Sequence, residues 1–301
     1  MPNNIPRTLL EAERVKAERR YKRLLDSVMR WIRNQLKHAK SYNDIKRILT
    51  NLTNSKLFKE YADKVAEQAV TMLARGQMHS WRAAAAASSR GREIYKALQR
   101  ELKTTGRGVR IDDIVNQNSL LIKTVPQNLA NKFSHLAKSA EYAGLRPNEL
   151  AKELLKQAPY LTNAEAKRIA RTESAKAASA LLQARSESIG LPFYIWDSCH
   201  DQRVRDAHDY MNGVVIAWDD PPNPEALCGV DKHGKPLKVY NSYHAGCIFN
   251  CRCTPLPVID ERDLTFPLTA HRHGKLIKIN NLKKFESVFG VTIDKSEKQD
   301  D

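Results

Sequence analysis

The sequence predicts an α+β fold: a mainly helical, basic N-terminal region followed by a small, loop-rich, β-containing module with zinc as its candidate staple. Three observations predict it. Apolar residues recur at helical spacing through the first 160 positions, β-prone runs broken by Pro, Gly, Asn and Asp occur only after Gly190, and all five cysteines, Cys199, Cys228, Cys247, Cys251 and Cys253, fall after position 198 of 301. The expected organisation is a basic helical region over 1–160 and the α+β module over 161–260. A C-terminal extension over 261–301 should hold one helix and a disordered charged tail.

In "YKRLLDSVMRWIRNQLKHAK", Leu25, Met29, Ile32 and Leu36 form one stripe, and Lys22, Arg23, Arg30, Arg33 and Lys37 occupy the other faces. Ser41 is placed to cap a second helix, and Tyr61, Val65, Ala69 and Met72 mark a third that Gly76 should end. The alanine run after Trp81 favours helix, weakened at Ser88, Ser89 and Gly91. "TTGRGVR" reads as a loop, and Pro126 should break the helical stretch after it. Thr162 and Glu165 form a capping box for a helix that Gly190 should stop. The inward face of that helix is alanine with Ile169 and Leu181, small enough to pack closely against the following module.

Beyond Gly190, "PFYIWDS", "GVVIAW", "KPLKVY" and "TPLPVI" have strand composition, and "DKHGKP" has that of a hairpin tip. A module so rich in loops calls for a staple.

Residues 1–190 hold 36 Lys and Arg against 18 Asp and Glu, a net of +18, whereas 191–301 hold 14 against 16, a net of −2. A positive surface of that size favours a polyanion, so double-stranded DNA is the expected partner, bound without sequence preference through Arg23, Arg30, Arg33 and Lys37. The other reading is a solvated helical surface. No segment has the roughly 18 apolar residues of a membrane span, and the N-terminus lacks the apolar core of a secretory leader, so we expect no membrane contact and a reducing cytoplasm.

In such a compartment clustered cysteines with nearby histidine read first as a metal site. "CIFNCRC" offers Cys247, Cys251 and Cys253, with His244 and His208 as partners of the right chemistry for zinc. Cys-x-Cys spacing permits two ligands to reach one ion if the backbone turns there. Burial as ordinary core and redox pairing stay open beside the metal.

Read in order, "IARTESAKAASALLQAR", "WDSCHDQRVRDAHDYMNGVVIAWDDPP" and "FNCRCTPLPVI" resemble the phage Mu protein F-like head morphogenesis family. The resemblance rests on Ala170–Glu173, on Asp201, Arg203, Val204, Arg205 and His208, and on Asn250–Cys253, over about residues 160–260. It implies a minor capsid protein of a tailed bacteriophage, found in the virion at the capsid interior or portal vertex. Its implied partners are the portal and the major capsid or scaffolding protein, and its role lies in procapsid assembly and in DNA packaging or ejection. In many such relatives the second cysteine of a C-x-x-C pair stands where this chain has His208, with Arg205 as the departure. Exchange of Cys for His implies that His208 is a ligand with Cys251 and Cys253, the fourth place falling to His244 or Cys247. The stretch Asp219 to Tyr243 departs from the pattern and reads as an insertion outside the site.

For Asp201 and Arg203 a structural role is expected, the carboxylate on turn amides and the arginine on an acid such as Glu173 or Asp197. Arg171 and Glu173 are expected to pair with each other or to bridge helix and sheet. No catalytic residue is assigned. The alternative function is a metal-dependent His/Cys nuclease, suggested by "CHD", "AHD" and "YHAGC" in a basic chain.

Overall fold

A computed structural model describes residues 7–88, 90–103, 109–139, 142 and 144–293. The chain divides into two compact units. One, here the helical unit, comprises Lys16–Met72 and Ile111–Ser174; the other, the mixed unit, comprises Met1–Val15, Leu73–Arg110 and Ala175–Asp301.

Helix α1 (Arg7–Leu36) puts Leu25, Met29, Ile32 and Leu36 wholly inside the core of the helical unit, as their spacing predicts. Helix α2 (Tyr42–Asn54) starts at Ser41, whose side chain accepts from the Asp44 amide while the Asp44 carboxylate accepts from the Ser41 amide, a reciprocal capping box. Trp31 packs its ring 5.5 Å from Phe58 and 5.4 Å from Tyr61, both on α3 (Lys56–Ala87). Helices α5 (Val109–Lys123) and α6 (Val125–Ala137) part where expected, with Pro126 in the first turn of α6, where a missing amide costs no helical hydrogen bond.

Two helix boundaries differ from expectation. Helix α3 runs through Gly76, where the missing side chain leaves room for the Glu13 carboxylate, whose oxygen would lie 2.7 Å from a β-carbon. Helix α7 (Pro147–Ser188) begins 15 residues before Thr162, so Thr162 is no cap. Its hydroxyl instead donates to the Ala158 carbonyl at 2.7 Å, one turn back beside Pro159, and accepts from Arg33 at 2.7 Å. Glu165 then faces inward, 2% exposed, and receives Arg168 at 2.6 Å and Lys132 at 2.7 Å.

In the mixed unit five strands pair in the order β3-β1-β2-β4-β5, comprising β1 (Phe193–Asp197), β2 (Val215–Ala217), β3 (Thr254–Pro257), β4 (Leu268–Arg272) and β5 (Lys275–Ile279). All pairs are antiparallel except β2 with β4. Strand periodicity sorts the side chains. Phe193, Val215, Ala217, Ala270 and Ile279 form one core with Phe285 and Phe289 of α10 (Leu282–Phe289), whereas Tyr194, Trp196, Ile216 and Leu256 share the other with Trp81, Leu182, Cys251 and Cys253. The module is therefore not short of regular core: α3 beyond Leu73, α4 (Gly91–Lys103) and the end of α7 belong to the same unit.

"KPLKVY" forms no strand; a bridge between Val230 and Pro236 closes the expected tight turn at Gly234. The extension holds two unforeseen strands, joined by His273 and Gly274, both at positive φ (47° and 75°), the geometry of a two-residue hairpin. "TTGRG" and the charged tail from residue 294 lie outside the described residues.

Burial pushes the Glu165 carboxyl up, but the hydrogen bonds from Arg168 and Lys132 outweigh it and hold it below its usual range. A depressed carboxyl stabilises the fold above the unfolded value of about 4.3, and the contribution is lost as pH falls through the folded value. Both partners are partly exposed, which screens the pair, so Glu165→Gln should cost about 1–2 kcal/mol at pH 7 and less than half of that at pH 3, by chemical denaturation.

Candidate metal centre

Helix α8 (Asp206–Tyr210) begins after the turn at Asp201–Arg205, and it presents His208 to the Trp196 face of the sheet. Cys251 and Cys253 arrive from the other side, on the segment that leads into β3. Asn250 takes positive φ (54°), so the chain turns immediately before Cys251 and not between the cysteines; next to a strand, side chains two apart share a face. His208, Cys251 and Cys253 are 2–3% exposed, and one ligand atom from each lies within 4.8 Å of the others.

The imidazole is oriented in detail. Nδ1 lies 3.6 Å from the Cys251 sulfur and 3.5 Å from the Cys253 sulfur. Nε2 lies 3.0 Å from the Tyr243 hydroxyl, which donates to the Glu225 carboxylate at 2.7 Å. The ring of Trp196 stands edge-on to His208, centroids 5.6 Å apart. A tetrahedral zinc with nitrogen at about 2.0–2.1 Å and sulfur at about 2.3 Å sets the N···S separation near 3.6 Å, so these three side chains fit such an ion.

The sulfurs behave as a pair. A hydrogen bond from Cys253, together with His208, pulls the Cys251 thiol well below its ordinary value despite burial. The Cys253 thiol is pushed up, first by that same bond to Cys251 and then by burial. One thiolate is favoured in this site, and a second beside it is opposed.

The remaining candidates stand apart from the triad. His244 is half-buried, its Nδ1 3.3 Å from the Tyr194 hydroxyl and its ring 5.4 Å from that of Trp218. Cys247 is half-buried and, like His244, lies outside the group of three. Cys199 and Cys228 are half-buried; His200 and His233 are exposed. Asp201 accepts from the Arg203 amide at 2.9 Å, and both its oxygens face the Arg252 guanidinium, one at 2.7 Å. Arg252 holds the Asp201 carboxyl far below the usual carboxylate range. The middle residue of "CRC" thus ties the cysteine segment to the turn before α8. Arg203 meets Asp201 itself, at 3.5 Å, and its side chain is 78% exposed.

Arg171 finds an acid on another helix, Glu18 of α1, at 3.5 Å. Two residues apart on a helix, Arg171 and Glu173 point to different faces, and Glu173 is buried. Among the DNA candidates Arg23, Arg30 and Lys37 are exposed, whereas Arg33 is half-buried and spends a donor on Thr162. Sequence reasoning missed Glu225 and Tyr243. Both sit in the stretch set aside as an insertion, yet they flank His208. Among the described residues no helix is long and apolar enough to cross a membrane.

Residues 132–256 match the family described as Phage Mu protein F like protein, which bears out the resemblance drawn from the Ala170–Glu173, Asp201–His208 and Asn250–Cys253 elements. A curated relative from Haemophilus influenzae, named only as an uncharacterized protein, is 29% identical over 154 residues. The match takes in 51% of this chain and 30% of the relative, so the shared part is under a third of that protein's length. No solved structure matches.

Burial pushes the His244 imidazole down to about 4. A base with a folded value below its unfolded one, about 6.5, contributes stability that is complete above pH 6.5 and lost as pH falls toward 4. His244→Gln should flatten that limb of the stability–pH curve by up to one proton, and one equivalent of metal should still bind if the triad alone holds it.

Proposed function

We propose that this chain is a minor head protein of a tailed bacteriophage, which acts at the portal in procapsid assembly and in DNA packaging or ejection, with its Cys/His module closed by a structural zinc. The observation that carries the reading is the family match across residues 132–256, which spans α7, β1, His208 and the cysteine box. Portal, major capsid or scaffolding protein are the partners the family implies. Arg23 and Arg30 on the solvent side of α1, with the exposed Lys37 just past its end, suit contact with phosphates. Three ligands leave one coordination place open, but with His208, Cys251 and Cys253 2–3% exposed that place is out of reach of a phosphodiester, which favours a structural ion over a nuclease centre. Co-purification of the chain with portal-containing procapsids tests the assembly role; its absence from procapsids and virions would refute it.

Purified chain should carry close to one equivalent of zinc by elemental analysis, and Cys253→Ser should lose both the metal and several degrees of melting temperature. A metal-free wild type with unchanged melting on chelation would remove zinc from the account.

DNA contact is tested on the full chain, since a cut at 190 would part Leu73–Arg110 from the rest of their unit. Charge reversal at Arg23, Arg30 and Lys37 should weaken duplex binding equally for all sequences and reduce the salt slope by about 0.9 for each phosphate no longer neutralised. A salt-independent affinity would turn these residues toward an acidic protein surface instead.

A further inference from the structure

We propose that Tyr243 and Glu225 form a relay that sets His208 with its Nδ1 lone pair facing the two sulfurs, and that this relay tunes the centre's affinity for a divalent cation. The inference rests on the metal reading above and names residues of this chain that the triad does not include.

A phenol has a single proton. Tyr243 gives its own to the Glu225 carboxylate at 2.7 Å, so toward His208 Nε2, at 3.0 Å, the same oxygen can only accept. Nε2 must then carry the hydrogen, and a neutral imidazole protonated there leaves Nδ1 bare, at 3.5 and 3.6 Å from Cys253 and Cys251. Such hydrogen bonding on the side away from the ion fixes a ligating histidine's tautomer and raises its basicity.

The relay is held by its own scaffold. Asn223 caps α9 (Pro224–Cys228) by accepting from the Ala226 amide, and its amide group donates to the Tyr240 carbonyl at 2.5 Å. The Tyr243 amide donates to the Pro222 carbonyl at 2.9 Å. The two ends of the 219–243 stretch are thereby joined, and Glu225 and Tyr243 meet although 18 positions apart. Glu225 is 3% exposed and Tyr243 9%, so neither serves as a solvent-facing polar group. Trp196 packs against both His208 and Tyr243, with centroids at 5.6 and 6.1 Å, which restricts either ring from turning away.

The test uses the full chain with Zn²⁺ and Co²⁺ as probes. Tyr243→Phe keeps the ring and removes the acceptor; it should bind Zn²⁺ 10–100-fold more weakly in chelator competition. At saturating Co²⁺ it should show the same sulfur-to-cobalt absorption as the wild type, because both thiolates remain. In the metal-free wild type, ¹⁵N-histidine NMR should find His208 protonated at Nε2, a readout that requires no variant to fold. Equal Zn²⁺ affinity in Tyr243→Phe, or a proton on Nδ1, overturns the relay while the metal reading stands. A wild type that takes up neither ion overturns the metal reading, and with it the role of the Tyr243–Glu225 pair.

Discussion

Much of the mixed unit depends on how closely one backbone approaches α7. Ala175 and Ser179 leave that face of the helix low, and the turn at Gly246 lies directly against it: a β-carbon on Gly246, which takes φ +84°, would sit 3.2 Å from the Ala175 carbonyl and 3.2 Å from that of Cys253. No other residue suits both the dihedral and the space. With Gly246 fixed there, the segment Cys247–Cys253 follows a single route across the Trp196 face into β3, and the sulfurs meet α8 at His208. The alanine run of α7 is therefore a docking surface for the loop that carries the ligands, rather than a helix-forming filler.

That placement bears on the choice between core and metal. Buried cysteines acting as small hydrophobes need no polar neighbours. Here two of them share one imidazole nitrogen, whose opposite nitrogen is committed to a buried tyrosine and glutamate. Without a cation, Nδ1 can accept from only one S–H at a time, and a second thiolate beside the first is resisted. The divalent ion proposed above would answer both demands at once. The ion pair of Arg252 with Asp201 fits the same logic, since it ties the cysteine segment to the turn before α8.

What the sequence made legible follows from how local each signal is. The α1 stripe, the Ser41 cap and the break at Pro126 are set by residues within one or two turns, and they stand as expected. Thr162 failed as a cap because the helix has a tertiary reason to continue: Arg33 claims the hydroxyl, and Glu165 is claimed by Lys132. Strands β4 and β5 were hidden because "LTAHRHGKLIKI" mixes basic residues into a short alternation, and the turn residues His273 and Gly274 carry the only local signal. His208, Cys251 and Cys253 were legible by ligand chemistry and family resemblance together. Tyr243 and Glu225 were not, because a hydrogen-bond relay has no spacing rule and depends on the fold to bring its members together.

The division into units also changes how the basic charge should be read. In chain order it ends near residue 190, but the helical unit holds 23 Lys and Arg against 13 Asp and Glu, a net of +10, and the mixed unit 27 against 21, a net of +6. The stretch Leu73–Arg110 alone brings nine basic and two acidic residues to the mixed unit. The cysteine module is thus not carried by a neutral body, and a polyanion would be attracted by either unit. Net charge sets attraction and not place, because screening confines it to about 10 Å at ordinary salt. Position must come from individual side chains free to meet phosphate. Arg23 and Arg30 on α1 and Lys37 just past its end are exposed, while Arg33, of the same sign and on the same helix, is engaged in holding α7 through Thr162.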